Sequence, residues 1–182
     1  GDHVFGLHEL IEYHSMISER RIPVFADQMT IDDLSIKGEY NVDYKNRDIK
    51  EYTYQSGDFE VVLNSFPVEH IEGSQGCVLT VEKKWRIAFS GDHSVVKDDF
   101  VQKVNSCDLL IHEATFSDEM ELQASERNHS TIGQAVEAGK KLKAKFIVLT
   151  HFSARYKLEN CMVSDDNVMF AFDFLSFKYE NA

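Results

Sequence analysis

The chain has 182 residues, 43% apolar and 27% charged, with 19 basic residues against 31 acidic and a net charge of −12. That is the size of one ordinary domain. The composition excludes a disordered tail and a fibrous repeat, and the charge excludes a non-specific nucleic-acid coat. No apolar run reaches the roughly 18 residues of a membrane span. Gly1-Asp2-His3 offers no basic leader, and residue 1 is not Met. The chain is therefore expected to begin inside a longer product or after processing. Cys77, Cys107 and Cys161 show no C-x-x-C spacing and read as thiols of a reducing compartment.

In chain order, Val4, Leu7, Ile11 and Ile17 recur near helical spacing and predict a helix over 4–18. Residues 21–26 read as a short strand, placed at an edge by Pro23. Thr30-Ile31-Asp32-Asp33 resembles a capping box, with Gly38 where that helix stops. Residues 51–66 read as two strands turning at Ser56-Gly57-Asp58, and 77–81 with 86–90 as a hairpin around Glu82-Lys83-Lys84. A helix over 96–105, a buried strand over 107–112, a helix over 130–143 and a buried strand over 145–150 follow, then a last strand over 168–177. This alternation predicts an α/β layered fold.

His70, Asp92, His129 and His151 each fall just after a predicted strand or in the following loop, where α/β proteins place reactive groups. As one set, Asp2, His3, His70, Asp92 and His151 supply imidazole and carboxylate, the ligand types of an open hydrolytic zinc site. Spacing alone leaves the choice open. A lone His at a strand end is more often a surface or packed residue, and Asp92 equally fits a turn in Ser90-Gly91-Asp92. His8 and His14 read as helix residues. His112 fits either a donor behind the ligands or a packed strand-end residue, and Trp85 a hairpin-packing ring rather than a base-stacking one. Lys140, Lys141, Lys143 and Lys145 read as a solvated helix end rather than a phosphate contact.

The local strings add more. Gly1-Asp2-His3 before a helix resembles the tail of the H-x-H-x-D-H metal motif of the metallo-β-lactamase superfamily, and F-S-G-D at 89–92 resembles its bridging-Asp motif. L-T-H-F-S-A-R-Y at 149–156 resembles the last His ligand of one branch. H-E-A-T-F at 112–116, H-S-T at 129–131 and A-F-D-F at 171–174 together resemble the tRNA 3′-processing endonuclease family, tRNase Z, the last string as its final strand. The short interval between His70 and Asp92 leaves no room for the tRNA-gripping arm of short family members. The chain thus resembles the C-terminal, catalytic half of the long eukaryotic form.

That resemblance implies an α/β fold, the metallo-β-lactamase αββα sandwich, here without its N-terminal strands, with residues 1–182 as the C-terminal part of a catalytic domain. It implies two Zn²⁺ ions, with His3 and His151 on one, His70 on the other and Asp92 bridging. Asp2 is the implied ligand and proton acceptor beside the nucleophile. The implied reaction is attack of metal-activated hydroxide on a phosphodiester, releasing the 3′ trailer of precursor tRNA and leaving a 3′ hydroxyl. His129 takes the proton-donor position, and Glu113 holds its imidazole in the right tautomer. Thr131, Ser153 and Arg155 are the implied substrate contacts; for Arg155 a salt bridge on the acidic surface fits as well. The implied partner is an upstream N-terminal part of the same protein, and the implied compartment is the nucleus, the mitochondrion or both.

Two departures from the family pattern stand out. His93 follows S-G-D where the family has Thr, and the H-x-H that should precede Asp2 lies before residue 1. Taken alone, the chain is expected to expose part of a sheet, to be poorly soluble or need a partner segment, and to be inactive. Two other readings stand beside the nuclease: a different hydrolase on the same fold, and a non-catalytic half.

Overall fold

Strand alternation puts every second side chain on one face, and in register across the sheet that builds the core. Val78 sits opposite Ala88, Ala88 opposite Leu110, Leu110 opposite Ile147 and Ile147 opposite Val168. The first four of these are 0–3% exposed. This computed structural model describes residues 6–19, 22–26, 28, 31–32, 42–46, 51–94, 99–154, 163 and 165–178. The chain divides into two compact units, 1–50 and 51–182.

In the first unit, α1 (Leu7–Ile17) matches the expected helix, and Ile11 on it is buried. β1 (Ile22–Ala26) runs parallel to β2 (Val42–Asn46), with Ile22 opposite Val42. Pro23 therefore lies on a strand of a two-stranded sheet, where one side of each strand is an edge. Of the expected helix after residue 30, Ile31 and Asp32 are helical; the rest of it lies outside the described residues. β2 carries no sequence expectation, because V-D-Y-K-N has too little apolar alternation to stand out.

The second unit is one seven-stranded sheet in sequential order, β3 to β9. β3 (Glu51–Ser56), β4 (Phe59–Pro67), β5 (Gln75–Val81) and β6 (Trp85–Phe89) are antiparallel neighbours. The expected turn at Ser56-Gly57-Asp58 and the hairpin at Glu82-Lys83-Lys84 both form, and Lys84 Nζ lies 5.1 Å over the Trp85 ring. From β6 the pairing becomes parallel, through β7 (Leu109–Glu113), β8 (Phe146–Thr150) and β9 (Val168–Phe170). Parallel neighbours need crossovers. α2 (Asp99–Val104) lies between β6 and β7. A 3₁₀ turn (Asp118–Met120), α3 (Glu121–Glu126) and α4 (Ile132–Lys141) lie between β7 and β8.

α4 forms because Thr131 and Gln134 close a capping box at its start, while Lys140 and Lys141 suit the negative end of its dipole. It buries Ile132, Ala135, Val136 and Ala138. Gly139 allows the closest approach to the sheet: a Cβ there would collide with Ile147 Cδ1. Two of the lysines at the helix end are matched by acids. Lys140 Nζ lies 3.2 Å from both Glu137 and Asp165, and Lys145 Nζ lies 2.9 Å from Asp108. On the opposite face of the sheet, Leu79, Ile87, Leu109 and Ile111 are only half-buried.

The expected last strand over 168–177 is corrected: β9 ends at Phe170. β8 stops at Thr150, and the final rung among the described residues is Ala171 N–H donating to Leu149 O at 2.7 Å. Ala171–Phe174 is thus not a strand. Phe174 has φ 64°, and Phe172 and Phe174 are exposed. Among the described residues no helix is long and apolar enough to cross a membrane.

Candidate metal centre

The parallel strands end together, and their C-terminal ends open into the loops that carry the expected residues, as in other open α/β sheets. Asp92 follows β6, Glu113 is the last residue of β7, and His151 directly follows β8. His129 precedes α4, and His70 lies in the β4–β5 loop. Close approach shapes the S-G-D turn. Gly91 has φ 60°, and a Cβ on it would strike the Gln75 carbonyl oxygen.

The structure brings His70, Asp92, Glu113, His129 and His151 together. His70 Nε2 lies 3.6 Å from Asp92 Oδ2, and His151 Nδ1 lies 3.6 Å from Asp92 Oδ1. The two carboxylate oxygens therefore face different imidazoles. The His129 ring lies between those of the other two, with centroids 4.5 Å from His70 and 5.5 Å from His151. Asp2, His3 and Arg155 lie outside the described residues. Ser153 is tied in through its N–H, which donates to Thr115 O at 3.1 Å. Thr131 is 2% exposed and its hydroxyl caps α4.

Glu113 is the hub. Its Oε1 accepts from His129 Nδ1 at 2.7 Å and from His93 N–H at 3.0 Å. Its Oε2 accepts from Thr115 N–H at 3.0 Å, Thr115 Oγ1 at 2.8 Å and Ser130 N–H at 3.2 Å. Burial pushes this carboxyl up, but the His129 hydrogen bond and the backbone donors outweigh it, and its pKa lies below the ordinary value. Burial likewise works against a charged His129, yet the Glu113 hydrogen bond and charge raise its pKa above the ordinary value.

Hydrogen-bond chemistry assigns the tautomers. Thr115 has one hydroxyl proton and gives it to Glu113. Its oxygen then accepts from His151 Nδ1 at 2.8 Å, leaving His151 Nε2 with a lone pair. His70 Nδ1 faces the Asn128 carbonyl at 2.9 Å, so it carries the proton and Nε2 is free to ligate.

Two lone-pair carriers, His70 Nε2 and Asp92 Oδ2, thus face each other. A cation suits such a donor set, and His and Asp are zinc's nitrogen and oxygen ligands. Ligand atoms of His70, Asp92 and His129 lie within 4.8 Å of one another, as do those of Glu113, His129 and His151. Glu113 is the poorest ligand of these, because its oxygens already accept five hydrogen bonds.

His93, the residue that departs from the family string, points its ring away from any such site. The ring is fully buried, 4.9 Å from Phe100 and 5.9 Å from His112, and neither ring nitrogen finds a hydrogen-bond partner among the described residues. Burial and the neighbouring His112 push its pKa down to about 4. Its backbone does the work: the N–H holds Glu113, and the carbonyl accepts from Ser130 Oγ at 2.6 Å. His112 is also fully buried, and its Nδ1 bonds Glu113 O at 2.6 Å. It is a packed strand-end residue.

Sequence reasoning missed Thr115 and Asn128. Both lie within or beside strings it used, but neither is a ligand type, and only their spatial partners reveal them. A Thr115→Val variant keeps the shape and deletes the hydroxyl that aligns Glu113 and His151. Its zinc affinity is expected to fall about 10–100-fold, measured by chelator competition; unchanged affinity would refute that role.

The Beta-lactamase superfamily domain model matches residues 1–152. The chain belongs to the beta-lactamase superfamily. Its resemblance within that superfamily is to ribonuclease Z proteins. It is 39% identical over 122 residues to a zinc phosphodiesterase ELAC protein 2 homolog of Caenorhabditis elegans, covering 65% of this chain and 14% of that protein. It is 38% identical over 125 residues to ribonuclease Z 1 of Schizosaccharomyces pombe, covering 66% of this chain and 15% of that one. The chain thus spans about one seventh of the length of these relatives. Human tRNase Z, short form, superposes with a TM-score of 0.71 at 29% identity, over 96% of this chain and 74% of its own. A long form RNase Z from yeast shares the fold, with a TM-score of 0.72 at 20% identity, over 92% of this chain and 30% of its own. The metallo-β-lactamase fold expected from the strings is therefore the fold of this chain.

Proposed function

We propose that this chain carries the catalytic centre of a zinc-dependent endoribonuclease that removes the 3′ trailer from precursor tRNA and leaves a 3′ hydroxyl. The observation that carries the proposal is the His129–Glu113 pair, 2.7 Å apart, set against the His70–Asp92–His151 cluster. A metal site alone serves many hydrolases, whereas an imidazole held by a buried carboxylate beside it suits protonation of an alkoxide leaving group.

In this reading His70, Asp92 and His151 would hold metal, and Asp2 and His3 would complete the ligand set. Zinc held there supplies Lewis acidity, making water a usable nucleophile near neutral pH and offsetting charge on the scissile phosphate. Asp2 accepts the nucleophile's proton. Glu113 fixes the His129 ring through Nδ1, which aims Nε2–H outward to protonate the departing 3′ oxygen. Ser153 and Arg155 contact the acceptor end. The upstream part of the same polypeptide grips the tRNA body, which suits an acidic catalytic part. The proposed compartment is the nucleus, the mitochondrion or both.

The test is cleavage of an end-labelled precursor tRNA by the natural full-length polypeptide, with the new 3′ end mapped. Cleavage next to the discriminator region with a 3′ hydroxyl is expected. It should be abolished by a strong chelator and restored by zinc. Hydrolysis of small phosphodiesters or lactams without precursor cleavage would replace this reading with that of another hydrolase of the superfamily. An intact zinc site with no hydrolysis at all would replace it with a non-catalytic half.

A further inference from the structure

His70 stands on a loop far in sequence from the other ligands, between β4 and β5, and one residue clamps it from two sides. The Asn128 carbonyl takes the His70 Nδ1 proton at 2.9 Å, and the Asn128 side-chain Nδ2 donates to the His70 carbonyl at 2.9 Å. The two residues are 58 positions apart, so nothing local enforces this reciprocal pair. Asn128 has φ 54°. Asn tolerates this left-handed region better than other non-glycine residues. The backbone there is itself pinned: Asn128 N–H donates to Ser125 O at 3.2 Å and His129 N–H to Ala124 O at 2.9 Å. The next residue is His129, whose ring lies 4.5 Å from that of His70.

We propose that Asn128 is a positioning residue: its left-handed backbone and its amide together fix the orientation and the Nε2-unprotonated tautomer of His70. They also hold the His70 loop in register with the loop that presents His129. A metal-ligating histidine is aimed by whatever its other nitrogen bonds. Here that partner is a main-chain carbonyl whose direction depends on an unusual φ. One residue thus couples a ligand and the proton donor, two roles carried by different loops. The inference deepens the metal-centre reading and rests on it for its functional consequence.

Three variants of the full-length polypeptide separate the two halves of the clamp. Asn128→Gly keeps the left-handed backbone and the carbonyl but deletes the amide. Asn128→Asp tolerates the same φ but sets a carboxylate against the His70 carbonyl. Asn128→Val deletes the amide bond and disfavours the φ that aims the carbonyl at His70. Zinc affinity by chelator competition is expected to fall in the order Gly, Asp, Val, reaching about 10–100-fold for Val. Deuterium exchange at the His70 C2–H, read on its peptide by mass spectrometry with metal removed, should accelerate in the same order as the ring is freed. Melting temperature is followed in parallel.

Wild-type zinc affinity and His70 exchange in Asn128→Val would overturn the proposal. So would affinity losses that track melting temperature while His70 exchange stays constant, since that is a purely structural role. If the wild-type protein holds no zinc, the metal-centre reading fails. The metal-free His70 exchange still decides the clamp.

Discussion

A Glu113→Gln variant is expected to lose about 3–5 kcal/mol of stability, the usual cost of removing one partner from a buried ion pair. Glu113 is 1% exposed and accepts five hydrogen bonds. Gln presents an NH₂ on one side, so at least two donors lose their acceptor whichever way the amide turns. The pH dependence has a definite sign. The folded pKa of Glu113 lies below its usual 4.5, so its contribution is present above about pH 4.5 and is lost as pH falls through the folded value. The folded pKa of His129 lies above its usual 6.5, so its contribution is present below about pH 6.5 and is lost as pH rises through the folded value. The stability gap between wild type and Glu113→Gln should therefore be widest between about pH 4.5 and 6.5 and narrow on both sides. Denaturant titrations of the metal-free protein across that range measure it. A gap independent of pH would mean that the pair is not ionised together.

His129→Ala is expected to lower kcat for precursor tRNA by about 10²–10⁴, the range for a removed general acid. Zinc content should be unchanged, because Asp92 still faces both His70 and His151. Glu113 acts on the proton transfer through His129, so in a Glu113→Gln, His129→Ala double variant the loss of kcat should be smaller than the product of the two single losses. Unchanged cleavage by His129→Ala would remove this residue from the mechanism. Loss of zinc in the same variant would make it a ligand instead, a geometry its place within 4.8 Å of the His70 and Asp92 donors permits.

Much of the second unit was legible because its signals are local. Alternation and turn residues mark β3 to β6, and the apolar runs of β7 and β8 mark buried parallel strands. The helix over 130–143 was expected from its own local run, and α4 forms there. The final strand was misread because its aromatic run looks strand-like, whereas a strand also needs a neighbouring ladder, and β8 ends too soon to supply one. β2 was invisible for the converse reason: its pairing with β1 is set by a partner distant in sequence, not by its own pattern.

The same division holds at the site. Residue type and position after strands raised the candidate ligands, and the resemblance of the motif strings to a known family implied the His–Glu pair and the superfamily. Only the tertiary structure decided that Asp92 turns one oxygen to each imidazole. It alone placed the His93 ring in the core while the His93 backbone holds Glu113, and it alone committed Thr131 to capping a helix. It also revealed Thr115 and Asn128 as the groups that set the tautomers of His151 and His70. These are matters of direction: a hydroxyl, an amide or a carbonyl acquires its role from what lies within 3 Å of it, and that neighbour comes from another loop once the sheet has formed.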